Sequence, residues 1–330
     1  MLLSGVVLGI LQSKRFSVAG LRKVQGATLR RVVVIVVAQY SIVLLGLIAA
    51  FSATREHRNL PPVRDLGLPD LLWGVFSFHL SPPAGSVLRL YVILMLLALF
   101  TYFLLARGWW IGALAFAVAL YGAGYVFPQA TAFTRFDGGI GANWATWQLM
   151  FTVALVIGWY WRRNLVAERL TKASAWVAVI CTGFVVLAYI GEIQTPRLFT
   201  KVMFAPGTIV NAFAVVTLMF IVVTWTLRVL PRWVFRPIEL IGSRSLDGYL
   251  IQAAVAVVVP SFVVYANDSQ FALMLALATL ATCWGWAEMR LWNRNRLRSH
   301  SLPDDYVRRT GSRTELATDG HIQPGTEVRR

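Results

Sequence analysis

The chain contains eight runs of 17 to 22 residues in which apolar side chains almost exclude charge. A helix of about 20 apolar residues crosses a bilayer core of ~30 Å. A membrane β-barrel would require alternating apolar and polar residues, and the stretch 32–37 is apolar throughout. The sequence therefore predicts an all-α, polytopic transmembrane helical bundle. The predicted spans are 32–53, 88–106, 109–127, 145–161, 175–194, 207–227, 247–265 and 270–288.

The basic residues are distributed unequally between the two sides that these spans define. If residues 12–31 are cytoplasmic, the cytoplasmic segments hold 24 of the 31 Lys and Arg residues. Cytoplasmic loops of membrane proteins carry such an excess. We therefore expect a multi-pass protein of a bacterial-type plasma (inner) membrane with a cytoplasmic C-terminus. The net charge of +16 is then explained by topology and by contact with the lipid bilayer, with no nucleic-acid partner.

The first eleven residues are apolar and are followed at once by Ser13-Lys14-Arg15. A helix of that length covers about half of the ~30 Å core. The prediction is therefore eight full spans plus an N-terminal half-span, which together form an integral membrane domain over 1–290. Residues 291–330 are basic and polar, and we expect them to form a disordered cytoplasmic tail.

Two connecting segments are ambiguous. Residues 13–31 mix basic and apolar side chains, which fits either an interfacial helix or a solvated loop. Residues 71–78 are apolar but too short to span, which indicates an interfacial or re-entrant piece.

Motifs for known catalytic chemistry are largely missing. The sequence has no phosphate-binding glycine loop, no His pair at metal-ligand spacing and no nucleophile elbow, and its four histidines lie outside the predicted spans. We therefore predict no bound metal. Gln39, Asn211 and Gln252 lie within spans, where their most common role is hydrogen bonding between helices.

Three polar clusters occur at span ends, in 87–91, 143–148 and 241–247. On a helix, Asn143 and Trp147 share a face, with Gln148 beside them. Each cluster also has a purely structural interpretation as a turn, a helix cap or a headgroup anchor. For Ser245 that interpretation is a cap of the following helix.

Four stretches, taken in order, resemble motifs of the OpgC family, which is related to the type 3 membrane acyltransferases. Residues 2–9 resemble the "FLSGFxxG" of that family, 87–92 resemble "VLPLYV", 143–148 resemble "NPxxWQ", and 242–246 resemble "GRxSL". The resemblance covers nearly the whole chain. Departures occur at Arg89 and Trp144, where the family has proline, and at Ser243-Arg244, which changes the "GR" order.

The resemblance implies ten helices, so the first helix and half of the second would precede Met1. Either the natural protein is longer or this is a truncated form, and the first is favoured because Met1 falls where a helix should already be under way. In the related acyltransferases an Arg and a His on the first helix are tied to acyl transfer. No position here matches them, so the catalytic residues stay unknown.

The resemblance further implies a cell-envelope O-acyltransferase of the osmoregulated periplasmic glucan succinyltransferase type. It would move an acyl group, with succinyl one candidate, from a cytoplasmic donor to an extracytoplasmic glycan or glycolipid. No cofactor would be bound, and an acyl-CoA would be the co-substrate. We place Tyr91, Asn143, Trp147 and Gln148 on the acceptor side, and Arg244 and Ser245 near the donor mouth. The alternatives are a transporter or flippase, and a truncated non-catalytic membrane protein.

Overall fold

The computed structural model describes residues 1–52, 66–77, 80–82, 85–134, 140–194, 205–243, 245–262 and 269–300. Within these ranges the chain forms helices α1 to α12 and one pair of short antiparallel strands. The elements are α1 (Leu2–Ser52), α2 (Leu68–Phe76), α3 (Ser86–Ala106), α4 (Trp110–Val126), α5 (Pro128–Thr131), β1 (Ala132–Thr134), β2 (Ile140–Asn143), α6 (Trp144–Trp159), α7 (Val166–Lys172), α8 (Ser174–Gln194), α9 (Pro206–Val229), α10 (Arg232–Ser243), α11 (Ser245–Phe262) and α12 (Ser269–His300).

Each of the eight predicted spans coincides with a helix, and the all-α prediction is confirmed. The matching helices are the second part of α1, then α3, α4, α6, α8, α9, α11 and α12. Among the described residues, five helices are long and apolar enough to cross a membrane: α1, α3, α8, α9 and α12. The apolar helices α4, α6 and α11 are shorter. The chain is thus a membrane protein, while the count of eight spans plus a half-span stays a prediction.

Helix α1 is a helical hairpin rather than one continuous rod. Gly20 interrupts it with φ 74° and ψ 175°, a backbone conformation that favours glycine. The Gln12 Nε2 donates to Thr28 Oγ1 at 3.2 Å, although sixteen residues of straight helix would separate the two by ~24 Å. The chain therefore reverses at Gly20, and arm α1N (2–19) runs back along arm α1C (21–52).

The ambiguous segments are both helical where the structure describes them. Residues 13–31 lie in the two arms of α1 and are helical except at Gly20. Helix α2 covers most of 71–78 and leaves Trp73 and Phe76 exposed, as an interfacial helix would. Helix α12 continues to His300, ten residues into the predicted tail, and 301–330 lie outside the described residues.

The core is formed by α1, α3 and α6, with α4 packed on α6 and α11 packed on α1C. Its centre contains large side chains without solvent contact, among them Leu94, Tyr102, Phe151 and Leu155. Helices α8 and α9 pack mainly on each other, and most of their apolar side chains are exposed. Such a surface is favourable in contact with the lipid tails of a bilayer and unfavourable in contact with water.

A close helix crossing joins α1N to α6 through small residues. A Cβ on Gly5 would stand 2.9 Å from the Cβ of Ala154, and one on Gly9 would collide with the carbonyl of Leu155. On α6, Gly158 lies against the carbonyl of Val6 in the same way. Small residues four apart let membrane helices approach closely. The glycines of the "FLSG"-like stretch therefore fix where α1N lies on α6.

Candidate functional site

Asn143 holds the start of α6 and ties it to α4. Its side-chain oxygen accepts from the backbone N–H groups of Ala145 at 3.1 Å and Thr146 at 3.3 Å, which is an N-cap. Its Nδ2 donates to the carbonyl of Gly124 in α4 at 2.9 Å. The side chain is fully buried. Of the three structural interpretations of the 143–148 cluster, the helix cap is therefore the one that applies to Asn143, whose polar atoms are engaged within the protein.

Gln148 lies one turn further along α6 and is also fully buried. Its Nε2 donates to Thr152 Oγ1 at 2.9 Å, while its Oε1 has no hydrogen-bond partner among the described residues. A buried acceptor without a donor costs roughly 1–3 kcal/mol. An oxygen kept in that state is available to a hydroxyl or amide donor that enters the bundle.

Tyr91 of α3 faces α1N and α6. Its hydroxyl is directed toward Ser4 of the "FLSG"-like stretch. Its ring meets Phe151 edge-on, with the centroids 6.2 Å apart. Phe151 follows Gln148 by three positions and so lies on the same side of α6. Tyr91 and Gln148 thus belong to one packed region, where α1N, α3 and α6 meet.

Two more side chains extend this polar region. Arg89 lies in the first turn of α3 and is buried. Its guanidinium lies 3.9 Å from the centre of the Phe133 ring. A cation over an aromatic face is stabilised by the ring quadrupole. Trp147 is partly buried and packs where α1N, α6 and α9 meet. On α9, the Oδ1 of Asn211 has no hydrogen-bond partner in the part of the chain that the structure describes.

A second polar cluster lies deeper along the same helices. Gln12 of α1N and Thr28 of α1C are joined by the hydrogen bond of the hairpin. Tyr102 of α3 is fully buried and stacks on Trp159 at 6.0 Å. Its hydroxyl is directed toward Thr28 but forms no hydrogen bond of good geometry. The Gln12 Oε1 is likewise without a partner. Sequence reasoning did not identify this cluster.

Ser245 belongs to a different part of the molecule. It is the first residue of α11 and is exposed. It lines a cavity of about 670 Å³ between α10, α11 and α12, together with Tyr249, Gln252 and Thr279. Beside this cavity, Asp247 pairs with Arg290 at 3.5 Å and accepts from the Trp286 indole N–H at 3.3 Å. Arg244 lies outside the described residues.

The structure thus groups four predicted site residues and places a fifth, Ser245, elsewhere. Asn143, Trp147 and Gln148 lie on α6, and Tyr91 lies on the neighbouring α3. Ser245 lines the separate α10–α12 cavity. The assignment of all six to substrate binding stays a prediction. Within the described ranges, no group of three His, Cys, Asp or Glu side chains could hold a metal ion.

The chain was compared with protein families, with curated proteins and with solved structures. The model of the family described as OpgC protein matches residues 1–295, which include every described helix except the last five residues of α12. No curated protein and no solved structure gives a significant match. The family match extends far beyond the four short motifs and covers most of the chain. The chain belongs to the OpgC protein family.

Proposed function

We propose that this protein is a membrane O-acyltransferase. It moves an acyl group from a cytoplasmic acyl-CoA-type donor to a hydroxyl of an extracytoplasmic glycan or glycolipid in the cell envelope. The observation that carries the proposal is membership of the OpgC family over 1–295. Succinyl is the acyl group that the family resemblance favours.

The reaction exchanges a thioester for an oxygen ester. The acceptor hydroxyl oxygen forms a bond to the thioester carbonyl carbon, the carbon–sulfur bond breaks, and the thiol leaves with a proton. A general base must take the proton of the attacking hydroxyl. We assign that base to none of the described residues, so Tyr91, Trp147 and Gln148 enter the proposal as substrate-binding groups only.

A donor and an acceptor on opposite sides of the bilayer require a polar path between them. Two polar clusters on α1 and α3 support such a path. Tyr91 and Tyr102 are eleven residues apart on α3, which places them on one face and ~16 Å apart along the axis. Ser4 of α1N lies near Tyr91, and Gln12 of α1N bonds to Thr28, toward which the Tyr102 hydroxyl is directed. Buried polar groups therefore extend along about half of a ~30 Å membrane core.

The acceptor side is assigned to the region around Tyr91, Trp147 and Gln148. The partnerless Gln148 Oε1 suits a sugar hydroxyl as donor, and the Trp147 ring suits the apolar face of a sugar. Asn143 contributes indirectly by fixing the start of α6. The donor mouth is assigned to Arg244 and Ser245, because the cavity beside Ser245 has room for part of an acyl-CoA.

Deletion of the gene tests the reaction class. Mass spectrometry of envelope glycans and glycolipids from the deletion strain should show loss of an acyl ester, which returns when the gene is restored at its own locus. Retention of every ester, with an unmodified lipid now on the other side of the membrane, would favour the transporter alternative instead.

Replacement of Trp147 or Gln148 by alanine at that locus tests the acceptor site. We expect at least a tenfold loss of the ester at unchanged protein level, because either change removes a contact to the acceptor. The matched control is Trp176→Ala in α8, whose side chain is 76% exposed and far from the core. Wild-type ester content in both core variants would refute the acceptor-site assignment.

A further inference from the structure

A groove between α4 and α6 ends at the tight turn that follows α6. Its volume is about 620 Å³, within the range of small-molecule sites. The groove lies on the other side of α6 from Tyr91 and is lined by none of the residues assigned to acyl transfer. Its two ends differ in chemistry, and that difference indicates its occupant.

The walls of the groove are apolar and follow the two helix axes. On α6 and its C-cap, Val153, Ile157 and Tyr160 recur at intervals of three and four residues, and on α4 Trp110 and Leu114 are four residues apart. Side chains at these spacings form a straight row on one helix face. The row on α6 is ~10 Å long, enough for several methylene groups of an extended chain.

The mouth of the groove is positively charged. Arg163 and Asn164 line it, both exposed, and Arg162 precedes them in the same turn. None of the described residues that line the cavity is acidic. The mouth is therefore complementary to an anion, and the arginine and asparagine N–H groups are suitable donors to phosphate oxygens.

The turn that carries these groups has a defined backbone. The N–H of Asn164 donates to the carbonyl of Tyr160 at 2.9 Å, and that of Val166 donates to Trp161 at 3.1 Å. Leu165 has φ 49° and ψ 42°, a left-handed conformation that costs a non-glycine residue about 1 kcal/mol or more. Trp161 in turn packs edge-on against Phe220 of α9 at 5.9 Å. Arg163 and Asn164 are thus presented by an anchored turn.

We propose that this groove binds one anionic phospholipid of the surrounding bilayer. An acyl chain lies against Leu114, Val153 and Ile157, and the phosphate accepts hydrogen bonds from Arg163 and Asn164. Trp110 and Tyr160 sit where aromatic rings with a polar edge are favoured, at the level of the headgroups. A basic pocket between membrane helices is suited to an anionic headgroup. A soluble phosphate would leave the apolar walls uncovered.

Native mass spectrometry of the purified full chain tests the proposal with two probes of equal chain length, phosphatidylglycerol and phosphatidylcholine. We expect one retained phosphatidylglycerol, favoured at least fivefold over phosphatidylcholine. Arg163→Gln should lower its retention about fivefold, the typical contribution of one basic residue near a lipid surface. Arg22→Gln, an exposed arginine on α1C, is the matched control and should leave retention unchanged.

Two further measurements separate the lipid from its headgroup. Ile157→Trp narrows the apolar channel and should also reduce retention, whereas an excess of glycerol phosphate should not displace the bound lipid. Equal retention by the wild type and Arg163→Gln would overturn the proposal, as would equal binding of the two lipids. Displacement by glycerol phosphate alone would overturn the role of the acyl chain. If Ile157→Trp does not fold, Arg163→Gln still tests the proposal, because Arg163 is exposed and its replacement leaves the fold intact.

Discussion

Helices α3 and α8 have the same length and a similar apolar composition, yet they occupy opposite environments within the protein. Each is 21 residues long and each qualifies as a membrane span. Half of the apolar window of α3 is buried in protein, against 6% of that of α8. The buried face of α3 carries polar side chains such as Tyr102, whereas α8 exposes Trp176 and Tyr189.

The same contrast holds between the core of α1, α3 and α6, to which α3 belongs, and the α8–α9 pair. The core of α1, α3 and α6 is held by glycine crossings, aromatic contacts and side-chain hydrogen bonds. The α8–α9 pair presents mostly apolar surface that a bilayer would cover. In a membrane, lipid and protein interior are similarly apolar, so hydropathy alone does not distinguish them. Close packing and buried side-chain hydrogen bonds do, and the predictions below test whether the core depends on them.

The largest effect on stability is expected at the crossing of α1N and α6, where the two backbones nearly touch. Gly9→Leu places a side chain into the backbone of α6 at Leu155, and no rotamer can avoid it. We expect loss of folded protein, because forcing even smaller groups into packed sites costs ~1–3 kcal/mol. The measurement is the monodisperse fraction after detergent extraction. Gly183→Leu in α8 is the control, since nothing lies within 4 Å of a Cβ there. Equal loss in both variants would contradict the comparison.

A second pair makes the same substitution in the two regions. Leu155 of α6 is fully buried, and Leu187 of α8 is 66% exposed. Leu155→Ala should lower the free energy of unfolding by about 2–5 kcal/mol through the cavity it leaves. Leu187→Ala should change it by less than ~0.5 kcal/mol, as is usual for surface positions. Thermal unfolding in one detergent compares them, and similar shifts would mean that α8 is packed as tightly as α6.

A third pair concerns asparagine. Asn143→Ala removes an N-cap and the donor to Gly124. We expect it to lower the free energy of unfolding by about 2–3 kcal/mol, because backbone groups that the side chain satisfied are left without a partner. Asn211→Ala in α9 removes an amide whose oxygen has no partner, so its loss should stay below ~1 kcal/mol. Asn143→Ser keeps a capping oxygen and loses the donor to Gly124, so its loss should fall between those of the two alanine variants. Thermal unfolding ranks the three variants. An Asn211 variant as unstable as Asn143→Ala would refute the view that Asn143 has a structural role that Asn211 lacks.

The sequence predicted the helices because each span is a local signal. About 20 uncharged apolar residues have few folded forms available in a membrane, so all eight runs coincide with helices. A helix cap was one of three structural interpretations of the 143–148 cluster, and it can be recognised locally because an N-cap depends on the next three residues. The hairpin at Gly20 was not predicted, because a lone glycine between basic residues does not distinguish a reversal from a loop.

The helix partners could not be predicted from the sequence alone. Gly5 and Gly9 meet Ala154 and Gly158 across some 150 residues of chain, and no local pattern specifies that pairing. The two small-residue pairs spaced four apart were a usable signal for close crossings, but they do not state which helix meets which. The polar cluster of Gln12, Thr28 and Tyr102 depends on the same long-range packing and was missed for that reason.

The smallest expected change in stability tests what the polar core is for. The amide nitrogen of Gln148 donates to Thr152, and its amide oxygen has no partner among the described residues. Gln148→Leu removes both, and loss of a buried unsatisfied acceptor offsets loss of the single bond. The free energy of unfolding should therefore change by less than ~1 kcal/mol, with either sign. Acyl transfer should nevertheless fall at least tenfold, because the proposed contact to the acceptor is gone.

Thr152→Val is the matched control, since it breaks the same hydrogen bond and leaves the Gln148 amide in place. Unfolding and ester content, measured side by side, distinguish two roles for Gln148. A purely structural role would make the two variants alike, with lower stability and ester content falling in proportion. A binding role leaves Gln148→Leu as stable as the wild type and inactive, while Thr152→Val stays active. That second outcome would show that the core keeps an unsatisfied oxygen for its substrate, at no net cost in stability.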